Sequence, residues 1–198
     1  MNDTFDDLRF AVIDVEGNGQ QPPEIIEIAI VPVDGVKVGE PATWLVRPER
    51  PITPIVTRKV HGIRNADVAD APTWAEVEPD VAAALTDRVP VAHNAKVEHD
   101  VLRRHMPWWE PTRMLDTLRL ARAVWPGLGA YGLDRLVEHA GLTLGGGHGQ
   151  RHRAGFDAYA TALLFVALAE TTSDRDRLFS LAGLPGLTSD EEPQGKLW

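Results

Sequence analysis

Asp14 and Glu16 stand two residues apart at the end of an apolar run, in FAVIDVEGNG at residues 10–19. In a strand, positions two apart point to the same face, so the two carboxylates lie side by side. They repel each other, and burial raises the cost. A shared proton, a bound cation or plain solvation at a strand end would each relieve it, and a lone D-x-E leaves all three open. Two further acids occupy inward positions. In VAHNAKVEHDVLRR (91–104), helical spacing puts Glu98 on the face of Val101 and Leu102, whereas Asp100 falls with Arg103 and Arg104 as a solvated, salt-bridging acid. In RHRAGFDAYATALLF (151–165), Asp157 shares a face with Ala160, Thr161, Leu164 and Leu168, in a first turn where a helix favours negative charge. His152 precedes Asp157 by five residues. Acids converging from one strand and two helices need a partner. Two divalent ions about 4 Å apart would satisfy them and would serve in-line phosphoryl displacement. A neutral histidine, with an unperturbed pKa of about 6.5, can take the proton of an attacking water.

The composition is compatible with this chemistry. The chain has 198 residues, 43% of them hydrophobic, enough for one domain with a real core. It has no cysteine, which excludes a disulfide frame and thiolate metal ligation. Metal ligands must then be oxygen or imidazole, which favours Mg2+ or Mn2+. The net charge of −9 argues against a broad phosphate-clamping surface for long duplex DNA but not against one small nucleic-acid site. The start, MNDTFDDLRF, lacks the basic and apolar regions of a secretory signal, and no apolar run reaches membrane-spanning length, so a cytoplasmic protein is expected.

These residues need elements to hold them. Strands are predicted over 8–15, 24–33 and near 36–46, the last two joined at Asp34-Gly35, the strongest hairpin signal in the chain. Residues 47–73 hold four prolines and read as a structured loop with short helical turns. A helix over 73–85 starts at Thr73 as N-cap, a short buried strand spans 88–93, and helices follow at 95–105, 114–125, 132–142, 154–170 and 174–182. Residues 144–152 are glycine-rich and are expected to be mobile.

Three stretches in order, VIDVEGNG, VAHNAKVEHDVL and HRAGFDA, resemble the motifs of the DnaQ-like 3′→5′ exonucleases of the DEDDh group, over about residues 8–170. HGI at 61–63 and DTLRLAR at 116–122 are similar as well. The resemblance implies an α/β, ribonuclease-H-like fold: a mixed five-stranded sheet whose first three strands form an antiparallel meander, flanked by helices. One domain would span residues 1–182, with a loose tail over 183–198. It implies that Asp14, Glu16, Glu98 and Asp157 hold two divalent ions, Mg2+ or Mn2+, and that His152 is the general base. Asn94 would shape the terminal-nucleotide pocket, with Gly17 and His61 on the substrate side. The substrate would be a single-stranded or frayed DNA or RNA 3′ end, released as nucleoside 5′-monophosphates. Three positions depart from the family pattern: Gly17 replaces a threonine, Val97 a phenylalanine and Glu98 an aspartate. The departures at Gly17 and Glu98 support an alternative, a catalytically weakened module that binds nucleic acid or protein. The sequence leaves open DNA against RNA, and whether the chain acts alone, as a homodimer or as a polymerase-associated subunit.

Overall fold

The computed structural model describes residue 5 and residues 7–144 and 151–187. Its centre is a mixed sheet. Strand β1 (Arg9–Gly17) pairs antiparallel with β2 (Ile25–Asp34) and parallel with β5 (Val89–Ala92), which pairs parallel with β6 (Leu115–Asp116). Strands β3 (Lys37–Val38) and β4 (Ala42–Leu45) both lie antiparallel on β2. The order across the sheet is β3-β2-β1-β5-β6, with β4 beside β3 along β2.

The expected meander is present, but its third strand is split, so six strands replace five. Pro32 in β2 and Pro41 have no N–H to give, and the ladder breaks at residues 39–41. Gly39 donates its N–H to the Pro32 carbonyl at 2.8 Å, and a Cβ there would come within 2.8 Å of the Pro32 ring. The helix expected from residue 114 also begins later. Leu115 and Asp116 form β6, and Asp116 then caps α4 (Thr117–Val124) by accepting from the Leu118 N–H at 2.8 Å.

The proline-rich stretch folds into a short helix α1 (Pro54–Val56), a wider turn over Thr57–His61 and a tight turn over Asn65–Asp67. Helix α2 (Trp74–Leu85) starts at Thr73 as expected, with Glu76 accepting from the Thr73 N–H at 2.8 Å. Helices α3 (Lys96–His105), α5 (Leu133–His139), α6 (Ala154–Ala169) and α7 (Arg175–Ala182) follow the predicted apolar spacing. Residues 145–150 of the glycine-rich stretch lie outside the described residues. The chain beyond α7 stays on the domain: Gly183 bridges Leu115, and buried Leu184 donates its N–H to the Met114 carbonyl at 2.8 Å. Residues 188–198 of the expected tail lie outside the described residues. No helix among those described is long and apolar enough to cross a membrane.

Strand alternation sorts the core. Phe10, Val12, Val31 and Val33 face α6, where Phe165 meets Phe10 edge-on at 4.8 Å, a pairing worth about 0.5–1.5 kcal/mol beyond its buried area. Ala11, Ile13, Ile28 and Ile30 face the other way, against Val77 and Val81 of α2 and Leu102 of α3. Asp14 and Glu16 continue the Val12 side of β1, so both lean toward α6.

Candidate active site

The end of β1 and the first turn of α6 bring three acids together. Oxygens of Asp14, Glu16 and Asp157 lie within 4.8 Å of one another. Asp157 is 7% exposed on the sheet-facing side of α6, beside Ala160, Thr161 and Leu164, as helical spacing predicts. Glu16 is 9% exposed. Burial, then the Glu98, Asp157 and Glu16 charges, raises the Asp14 pKa well above the usual carboxylate range. Burial, with Asp157 and Glu27 beside it, pushes Glu16 up to about 8, against a lowering by Arg153 and Arg151. Asp157 is raised by burial and held down by the guanidinium of Arg151.

Glu98 enters from the other side, in the first turn of α3. It is 7% exposed, its Oε2 has no hydrogen-bond partner among the described residues, and burial with Asp116 and Glu16 nearby pushes it up to about 8. Its oxygens stand outside the close trio, yet its charge is felt by Asp14. Asp100 points away and pairs with Lys96 at 2.8 Å, the solvated role its spacing predicts. An orphaned carboxylate oxygen beside three crowded acids fits a cation site, and an all-oxygen donor set suits Mg2+ or Mn2+.

The remaining candidates take different positions. His152 is exposed, has φ +59°, and donates its backbone N–H to Asp157 Oδ2 at 3.1 Å. Arg151 grips Asp157 Oδ1 and also reaches Asp134 on α5. Asn94 is exposed at φ +67° in the turn between β5 and α3, with its N–H on Asp116 Oδ1 at 3.0 Å. Gly17 closes β1 at a bulge, where an added Cβ would meet Pro23 at an ordinary 3.4 Å. A Cβ at residue 17 would therefore pack on Pro23 and the Glu24 carbonyl without a clash. His61 is buried: Nδ1 accepts from the Ile63 N–H at 3.0 Å, closing the turn at Gly62, while Nε2 has no partner meeting hydrogen-bond geometry among the described residues. Burial lowers its pKa, partly opposed by the Gly17 carbonyl nearby.

Several residues of the site carried no motif. Glu27 lies across the β1–β2 register from Glu16, is 1% exposed, and is clamped by Arg153. An acid inside the otherwise apolar EIIEIAIVPV was the available signal. Asn18 is fully buried; its Oδ1 accepts from the Gln20 and Glu24 N–H groups and its amide donates to the Arg50 carbonyl, sealing the loop after Gly17. A cavity of about 640 Å³ is lined by Glu24, Arg50, Trp74, Arg104 and His105, and none of the clustered acids borders it.

Known proteins are similar to this chain along most of its length. A family model described as Exonuclease, of the RNase T type, matches residues 11–165. The chain is 33% identical over 176 residues to the DNA polymerase III subunit epsilon of Aquifex aeolicus, covering 86% of this chain and 85% of that protein. It is 34% identical over 178 residues to exodeoxyribonuclease 10 of Escherichia coli K12, covering 89% and 76%. Among solved structures, exonuclease X in complex with 5′ overhanging duplex DNA superposes with a TM-score of 0.72 at 34% identity, covering 88% of this chain and 98% of that one. With its carboxylates converged on the sheet and its fold shared along most of its length, the chain belongs to the exonuclease family, as a DnaQ-like enzyme of ribonuclease-H-like fold.

Proposed function

We propose that the chain is a metal-dependent 3′→5′ exonuclease that removes nucleoside 5′-monophosphates from single-stranded or frayed 3′ ends, with DNA as the favoured substrate. The observation that carries the reading is the trio of Asp14, Glu16 and Asp157, whose oxygens lie within 4.8 Å; burial raises the pKa of all three, and carboxylate repulsion adds to it at Asp14 and Glu16. Such a cluster is costly unless cations neutralise it. Asp14, Glu16 and Asp157, with Glu98 beside them, would hold two divalent ions, Mg2+ or Mn2+. When bound, these would lower the pKa of water and offset charge on the phosphate.

The chain's own residues supply the rest. His152 is the general base, taking the proton of the attacking water at its imidazole. Its backbone bond to Asp157 keeps it next to the acids while its ring stays exposed to an incoming strand. Asn94, Gly17 and His61 border the terminal nucleotide. DNA as the substrate is supported by the 34% identical exonuclease X, solved in complex with 5′ overhanging duplex DNA. Likeness to a DNA polymerase III subunit epsilon supports association with a polymerase.

The test uses 5′-labelled single-stranded oligonucleotides, as DNA and as RNA, with Mn2+ or Mg2+. A ladder shortening from the 3′ end, stronger on DNA and lost with EDTA or in Asp14→Ala, is the expected result. No ladder from folded protein in either metal overturns the reading in favour of a binding module. Glu98→Asp then asks whether the longer acid is what silences the site.

A further inference from the structure

We propose that the buried pair Glu27–Arg153 is a positioning device for the acidic site: Glu27 keeps the Arg153 guanidinium off Glu16 and seats the first turn of α6. The inference rests on the metal-dependent reading above. Glu16 and Glu27 are direct partners across the antiparallel β1–β2 register, so their side chains share the α6 face of the sheet. Arg153 stands at the junction. Its Nε lies 3.1 and 3.0 Å from the two Glu27 oxygens and its Nη2 lies 2.5 Å from Oε1. Glu27 Oε2 also accepts the Ala154 N–H at 2.9 Å, which anchors the start of the helix to the sheet. One turn on, the Asp157 N–H donates to the Arg153 carbonyl at 3.0 Å. The same short segment therefore carries His152, the clamped Arg153 and Asp157.

This geometry gives Glu27 two consequences that a surface ion pair lacks. First, a guanidinium next to Glu16 is a rival for any cation that Glu16 ligates, and Glu27 holds that rival in a two-pronged grip. Second, Glu27 is itself an acid beside the cluster, and its pairing with Arg153 offsets that charge. Glu27 thus orders the site without being a ligand, as outer residues of metal sites commonly do.

The experiment measures Mn2+ binding by calorimetric titration of metal-stripped full-length protein, with folding checked by circular dichroism. Glu27→Gln keeps the side-chain shape and an oxygen for the Ala154 N–H but loses its hold on Arg153. Its Mn2+ affinity is expected to fall about tenfold or more. In Glu27→Gln with Arg153→Gln the rival charge is gone, and affinity is expected to return to near the parent value. A purely structural pair would not give this recovery. Unchanged affinity in Glu27→Gln, or a double variant no better than the single, overturns the inference. Should Glu27→Gln fail to fold, Arg153→Lys keeps the charge but not the two-pronged grip; a several-fold loss of affinity is expected, and parental affinity overturns the inference. Parent protein that binds no Mn2+ overturns the metal-dependent reading itself, and this inference with it. Parent that binds while Glu27→Gln binds equally well overturns only the role of the pair.

Discussion

The backbone N–H of Asn94 donates to Asp116 Oδ1 at 3.0 Å, tying the turn before α3 to the end of strand β6. The same oxygen accepts from the Leu118 N–H at 2.8 Å and so caps α4. One carboxylate oxygen thereby fixes a left-handed turn, at φ +67°, and the start of the helix that carries Glu98. Asp116→Ala removes both acceptor contacts and is expected to destabilise the protein by about 1–3 kcal/mol. Asp116→Asn keeps an oxygen in place and should stay within about 1 kcal/mol of the parent. Urea denaturation checks both, and an alanine variant as stable as the parent would refute this role.

Glu16 and Glu98 are both pushed up to about 8, from an ordinary 4.5, chiefly by burial. In metal-free protein each keeps, between those values, a proton that the unfolded chain has already released. The folded state then binds more protons than the unfolded one, so stability falls as pH rises through that window and is retained below it. In EDTA, thermal unfolding at pH 8 is expected below that at pH 6 by about 4–8 °C for each of the two acids, for a loss of about 2 kcal/mol apiece. Saturating Mn2+ should remove or reverse the slope, because it favours the ionised acids. A flat profile in EDTA would show that these acids titrate normally.

His152 touches Asp157 through its backbone, not its ring. Replacing the ring should therefore spare metal binding and remove only proton transfer. His152→Asn is the better variant than alanine, since asparagine tolerates the φ of +59° found there. Turnover is expected to fall about 10²–10⁴-fold with Mn2+ affinity unchanged. Parental turnover would exclude His152 as the base, and lost Mn2+ affinity would mean that the ring also supports the metal site.

Local pattern was enough to mark the acids. Strand alternation paired Asp14 with Glu16, and helical spacing separated inward Glu98 from outward Asp100 and put Asp157 on the buried face of α6, as the structure bears out. These are properties of a period of 2 or 3.6 residues, which a single chain displays by itself. Proline chemistry set the break between β3 and β4, but where it fell depended on Pro32 of the neighbouring strand. Likewise, Leu115 and Asp116 continue a helical pattern until β5 offers them a parallel ladder. Glu27 and Arg153 are 126 residues apart and match no local rule; only the β1–β2 register and the docking of α6 make them one ion pair beside Glu16. The sequence by itself determined that Asp14 and Glu16 share a face and that Glu98 and Asp157 face inward, but it did not mark Glu27. Tertiary packing decided which of them meet within 4.8 Å, which one stands back with an unpaired oxygen, and which cation is held beside them, because those distances depend on contacts between segments far apart in the chain.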